Sequence, residues 1–314
     1  MHTTHILGFP RIGAQRELKF ALEAFWRGER NAQDLQNTAQ ALRARHWQYQ
    51  REAGLDYVTV GDFAYYDHVL NHIQLLGCEP VRFGFGQEDE LTRYFTMARG
   101  VSGQTASCCG GEHDDSDRRA LEMTKWFDTN YHYLVPEFTP DTGFRLASER
   151  LFDEIREAQA LGHPVKAVLI GPLTFLWLGK EKVEGFDRLN LLDRLVPVYG
   201  EILARLKALG VAWVQMDEPI LGLDLPASWR QGFEKAYALL GSERPKLLLT
   251  TYFSRLEDNL RLACQLPVDG LHVDAVRAPE ELARVADWLP AHKVLSVGII
   301  DGRNIWRADL DAAL

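Results

Sequence analysis

From residue 146 onward, apolar runs of four to six residues alternate with amphipathic helical segments, and this beat constrains the fold more than any other feature. Residues 165–170 precede a helical pattern over 188–209, and residues 212–216 precede one over 227–240. Apolar runs at 246–250, 270–273 and 294–297 repeat the theme, with helical patterns at 255–264 and 280–288 between them. Strands that alternate with helices pair in parallel through right-handed crossovers. The shorter runs at 6–9 and 57–60 bring the expected strand count to seven.

The residues that follow these runs decide between an open sheet and a barrel. Gly61-Asp62, Gly171-Pro172-Leu173-Thr174, Asp217-Glu218-Pro219, Thr250-Thr251-Tyr252, Asp274 and Asp301-Gly302-Arg303-Asn304 each close an apolar run. One such cluster reads as turn chemistry. Six together read as the C-terminal rim of a (β/α)8 barrel of the TIM type, where active sites are built. Seven of the eight strands are expected in this chain, which stops before an eighth. A long helical segment, 32–52, with Asn31 as its N-cap, is inserted between strands one and two.

Charge and composition remove several function classes. Thirty-five basic against 44 acidic residues give a net charge of −9, which argues against a broad nucleic-acid surface. No leader and no apolar run of about 18 residues is present, so the expectation is a soluble, cytosolic protein with no membrane partner. The four cysteines have no framework spacing, and adjacent Cys108 and Cys109 are too close for an ordinary disulfide. Residues 100–120, rich in Gly, Ser and Asp, read as a mobile loop.

Against that acidic background, "RIGAQRELKFALEAFWRGE" stands out. It reads as a loop followed by a helix starting near Gln15, with Arg11, Arg16 and Lys19 at the end where the helix dipole disfavours cations. His68 and His72 lie four apart on a helical segment beside Asp67, a spacing able to hold zinc. No third ligand is specified, so solvent-facing or core-edge histidines are expected. Asp217 and Glu218 could serve as acid and base, but neighbouring strand residues point to opposite faces, which favours bonds to rim loops. In "EMTKWFDTNYHYLVPEF", Trp126, Phe127, Tyr131, Tyr133 and Phe138 surround Lys125, Asn130 and His132. That stretch suits either stacking on a flat ligand or packing on the barrel.

In order along the chain, "LGFPRIG", "RELK", "RARHW", "VGDFAYYDHVL", "EMTKWFDTNYHYLVPEF", "LIGPLTFLWLGK", "WVQMDEP", "LLLTTYF", "GLHVD" and "DGRNIWRADL" resemble the N-terminal half of cobalamin-independent methionine synthases. The resemblance implies two barrels related by duplication, with residues 1–314 forming the N-terminal one and a catalytic zinc barrel lying C-terminal to it. It further implies a methyltransferase acting on 5-methyltetrahydropteroyltriglutamate and homocysteine. Where the zinc-binding copy carries His-x-Cys-Tyr, this chain has Leu249-Thr250-Thr251-Tyr252, and Asp274 stands where that copy has Glu. No zinc is therefore expected here, and this half alone is expected to be inactive. The folate-tail contacts of the family map onto Arg16, Glu17, Leu18, Lys19 and Lys125. The alternative is a stand-alone, non-catalytic barrel that docks a polyanion.

Overall fold

A computed structural model describes residues 2–101 and 118–313. Most of the expected 100–120 loop, with Cys108 and Cys109, lies outside the described residues. The helices are α1 (Glu17–Trp26), α2 (Ala32–Glu52), α3 (His68–Leu75), α4 (Glu90–Arg99), α5 (Arg150–Ala160), α6 (Pro172–Leu178), α7 (Leu192–Ala208), α8 (Ala227–Leu239), α9 (Leu260–Gln265), α10 (Glu281–Trp288) and α11 (Leu310–Ala313). The strands are β1 (Val58–Val60), β2 (Met123–Lys125), β3 (His132–Leu134), β4 (Glu137–Phe138), β5 (Val165–Ile170), β6 (Lys180–Glu181), β7 (Trp213–Asp217), β8 (Lys246–Thr250), β9 (Gly270–Asp274) and β10 (Val294–Gly298). They form two compact units, Met1–His163 with Gly179–Phe186, and Pro164–Leu178 with Asp187–Leu314.

In the first unit, α2 forms over the expected residues because its start is chemically specified. Asn31 Oδ1 accepts from the Asp34 N–H at 2.9 Å while Asp34 accepts from the Asn31 N–H at 3.2 Å, a reciprocal capping box. One face of α2 buries Leu35, Ala39, Leu42 and Trp47, and α2 packs on α1, β1 and α5. Arg43 goes into that core with its charge matched. Its guanidinium lies 2.7 Å from Glu157 and 3.6 Å from Glu154, both on α5. Removing the Arg43 guanidinium would leave Glu154 buried without its cation, and breaking a buried pair in this way typically costs about 3–5 kcal/mol.

Residues 6–9 do not form the expected first strand. The Phe9 N–H goes to the Asp62 carboxylate at 2.7 Å, and the edge of β1 at Thr59 is closed by α2 side chains instead of a strand. The Thr59 N–H donates to Gln50 Oε1 at 2.9 Å, and its carbonyl accepts from Trp47 Nε1 at 2.9 Å. The long insertion thus supplies the hydrogen bonds that a neighbouring strand would have made. Elsewhere in this unit β2 and β3 form an antiparallel hairpin, with Lys125 opposite His132, and β4 pairs with β6 in parallel.

The second unit holds five strands of a parallel sheet in the order β5-β7-β8-β9-β10. All five expected apolar runs of this region are strands, and β5 and β7 are buried almost throughout. The register places Asp217, Thr250, His272 and Ser296 in one row across four strands. An α/β fold with a mostly parallel sheet is therefore what forms. Among the described residues, β5 and β10 do not pair with each other to close a ring.

Candidate functional site

Helix α1 begins two residues later than the sequence suggests, because Arg16 adopts the left-handed conformation (φ 61°, ψ 32°). A turn bond from the Arg16 N–H to the Gly13 carbonyl (3.0 Å) makes this bend, and Gly13 is itself at φ 83°. A left-handed Arg costs roughly 1 kcal/mol or more relative to a relaxed backbone. Glu17 holds the bend: its carboxylate accepts from the Gln15 N–H at 2.9 Å and pairs with Arg45 at 2.5 Å. A Cβ on Gly13 would lie 2.1 Å from Glu17 Oε2, so only glycine fits beneath that carboxylate. Bonding to its own backbone N–H, then to Arg45, holds the Glu17 carboxyl below the usual carboxylate range.

The five mapped residues therefore differ in what they present. Arg16 is exposed and has no ion pair among the described residues. Lys19 is half exposed and lies 3.8 Å from Glu23, one helical turn on. Leu18 is fully buried, and Glu17 is committed to Arg45. Lys125 is exposed on β2, again without an ion pair among the described residues. Arg11 donates to the Tyr66 carbonyl (2.5 Å) and lies 5.7 Å above the Tyr131 ring.

Asp67 ties the hairpin that carries Lys125 to α3. Buried, it caps α3 through the Leu70 N–H (2.9 Å) and accepts from the Tyr131 hydroxyl (3.0 Å) and the Leu134 N–H (3.1 Å). Burial raises its pKa to about 6 even against those three donors. His72 is not solvent-facing: it is 2% exposed, and burial lowers its pKa to about 4. His68, next to it at a ring separation of 4.8 Å, is also held neutral by burial, by His72 and by Arg11. Of the aromatic stretch, Trp126, Tyr133 and Phe138 are buried, and Trp126 packs edge-on against Tyr133 at 5.8 Å. Packing is the role these three rings take.

At the strand ends of the second unit, Glu218 is fully buried and accepts from Thr174 N (2.7 Å), Leu173 N (3.2 Å) and the Tyr237 hydroxyl (3.0 Å). Burial raises its pKa to about 7. Asp217 accepts from Gln215 Nε2 at 2.7 Å and from the Tyr252 hydroxyl at 3.4 Å. Both carboxylates are thus engaged with neighbouring side chains and loops. Leu249, Thr251 and Asp274, the positions that the resemblance sets against zinc ligands, have other surroundings here. Leu249 has no donor, Thr251 Oγ1 donates to the His272 carbonyl (2.9 Å), and Asp274 accepts from Phe253, Val276 and Arg277 N–H groups at 2.9–3.1 Å. Among the described residues no three His, Cys, Asp or Glu side chains converge as a metal set.

Residues 3–314 match the family model described as "Cobalamin-independent synthase, N-terminal domain". The chain belongs to that family. Two solved structures resemble this cobalamin-independent synthase domain in fold. A putative vitamin-B12-independent methionine synthase from Listeria monocytogenes is 15% identical, with 99% of this chain and 85% of that one aligned and a TM-score of 0.59. A B12-independent methionine synthase from a Shewanella species, solved with selenomethionine, is 13% identical, with 86% and 82% aligned and a TM-score of 0.58. Among the described residues no helix is long and apolar enough to cross a membrane.

The sequence reading missed three working parts of this region. The Asp67 node was signalled by an Asp directly before a helical run, the ordinary N-cap pattern. The Glu17–Arg45 pair and the Arg43 pair with α5 join residues 28 and more than 100 positions apart, and no local pattern announces them.

Proposed function

We propose that this chain is the folate-binding half of a methyltransferase that moves the methyl group of 5-methyltetrahydropteroyltri-L-glutamate to homocysteine, giving methionine. Arg16, Lys19 and Lys125 take the carboxylates of the glutamate tail. Glu17 and Leu18 hold the segment in place, one through Arg45 and one through the core. The observation that carries this reading is the pair Arg16 and Lys125: exposed cations without ion-pair partners among the described residues of a chain of net charge −9. Zinc, held by a C-terminal barrel, would activate the homocysteine thiol, and the residues of this chain bind and orient the other substrate.

A charge-assisted hydrogen bond contributes about 1.5–3 kcal/mol when partly desolvated, and exposed pairs give less. Arg16→Ala or Lys125→Ala should then weaken triglutamyl methylfolate about tenfold and leave the monoglutamyl form nearly unchanged. Calorimetric titration of both ligands, with the chain alone and joined to its second barrel, makes the comparison. Equal weakening of the two ligands would refute tail binding.

A further inference from the structure

Thr59 fixes the orientation of the Gln50 amide. The Thr59 N–H donates to Gln50 Oε1 at 2.9 Å, and the single proton of the Thr59 hydroxyl is shared between Gln50 Oε1 (3.3 Å) and Asp62 Oδ2 (3.4 Å), so the amide oxygen faces β1 and Nε2 must face away. Gln50 is 2% exposed, and its Nε2 has no partner among the described residues. Gln50 borders a cavity walled by Phe9, Trp47 and Phe63, with Arg43, His46, Thr59 and Asp62 as further polar lining. The cavity's space, about 10 Å³ for water centres, holds roughly one water molecule.

An occupant must accept a hydrogen bond from an amide and fit among three aromatic rings. Ammonium has no lone pair to accept with, and a halide has no proton to give to a carboxylate. Arg43, the cation of the lining, is already paired with Glu157 at 2.7 Å and the Asp62 carboxylate forms part of the same wall, so the lining does not call for an anion. We propose that this cavity is a site for a single ordered water that accepts from Gln50 Nε2 and donates to the Asp62 carboxylate. Asp62 in turn accepts the Phe9 N–H at 2.7 Å, and a Cβ on Gly8 would lie 3.5 Å from Asp62 Oδ2. The water therefore links α2 to the segment running from Gly8 into Arg11 and Arg16, and Gln50 is a positioning residue for that segment.

A crystal structure of the full chain at atomic resolution tests the site. A density peak within hydrogen-bonding distance of both Gln50 Nε2 and the Asp62 carboxylate is expected, and an empty cavity or a peak touching only one of them overturns the proposal. Hydrogen exchange in Gln50→Met gives an independent readout. Loss of the amide should speed exchange of the Thr59 amide directly, and that of the Phe9 amide about tenfold through the lost water. Faster exchange at Thr59 with an unchanged rate at Phe9 would show that Gln50 acts on β1 alone, and would sink the proposal. Should Gln50→Met fail to fold, the wild-type density decides.

Discussion

Gly171→Ala tests how the strand ends of the second unit are held. A Cβ built on Gly171 lies 2.1 Å from Glu218 Oε1, 2.2 Å from Cδ and 2.5 Å from Cγ. Ordinary carbon contacts begin near 3.4 Å, so the Glu218 side chain would have to move by more than about 1 Å. It is not free to do so, because it is fully buried and accepts from Leu173, Thr174 and Tyr237. Three bonds to this carboxyl group, at up to about 3 kcal/mol each when it is ionised and less when it is neutral, bound the loss at roughly 9 kcal/mol. Partial retention brings the expected cost to about 3–5 kcal/mol. In urea unfolding followed by tryptophan fluorescence, the midpoint should fall by about 1 M or more at unchanged slope. Glu218→Ala removes the obstacle, so adding Gly171→Ala to it should cost little, and the coupling should account for most of the single-mutant effect. Additive effects, or a midpoint shift below about 0.3 M, would refute the reasoning.

Glu218 and Asp67 have folded pKa values raised to about 7 and about 6, so the fold favours their neutral forms and their stabilising contribution is full below about pH 4 and lost as pH rises through those values. His72, lowered to about 4, acts oppositely: its contribution is present above about pH 6.5 and lost as pH falls. The wild-type urea midpoint should therefore fall relative to that of Glu218→Gln between about pH 6 and pH 8, since the histidine contributions are common to both proteins, and a relative rise over that window would contradict the assignment. Arg16→Gly should be about 1 kcal/mol more stable than Arg16→Ala in calorimetry, since glycine accepts φ 61° without strain, while both lose tail affinity equally. Glu17→Gln weakens the acceptor that holds the bend through the Gln15 N–H and Arg45, and should weaken triglutamyl folate about threefold by titration; unchanged affinity would show that the bend does not position Arg16.

Where structure is specified locally, the sequence was legible. Asn31 and Asp34 announce α2, and the apolar runs from residue 165 onward announce every parallel strand of the second unit. Residues 6–9 were misread because their apolar pattern is that of a strand, while the competing partners of Thr59, Gln50 and Trp47, lie on a helix whose placement is a tertiary fact. The turn at Arg16 was missed for a related reason: a left-handed residue is usually announced by Gly or Asn, and here the conformation is imposed by Gly13 and the Glu17 carboxylate. The hairpin bearing Lys125 is too short and too aromatic for period alone to separate it from a packed loop.

The charge pattern at the start of α1 acquires a physical reason from Glu17. A helix N-terminus carries free N–H groups that attract anions, and cations there are disfavoured. In this chain an acidic residue of the first turn already satisfies that end: the Glu17 carboxylate bonds its own N–H and that of Gln15, and Arg45 balances its charge. With the dipole answered internally, Arg16 and Lys19 add positive charge beside a neutralised terminus, which lowers the cost of placing them there. Any carboxylate arriving from outside would then meet side chains rather than backbone. Affinity at such a site should follow the guanidinium and ammonium groups and fall steeply with salt, whereas a backbone-built anion site would resist both substitution and ionic strength.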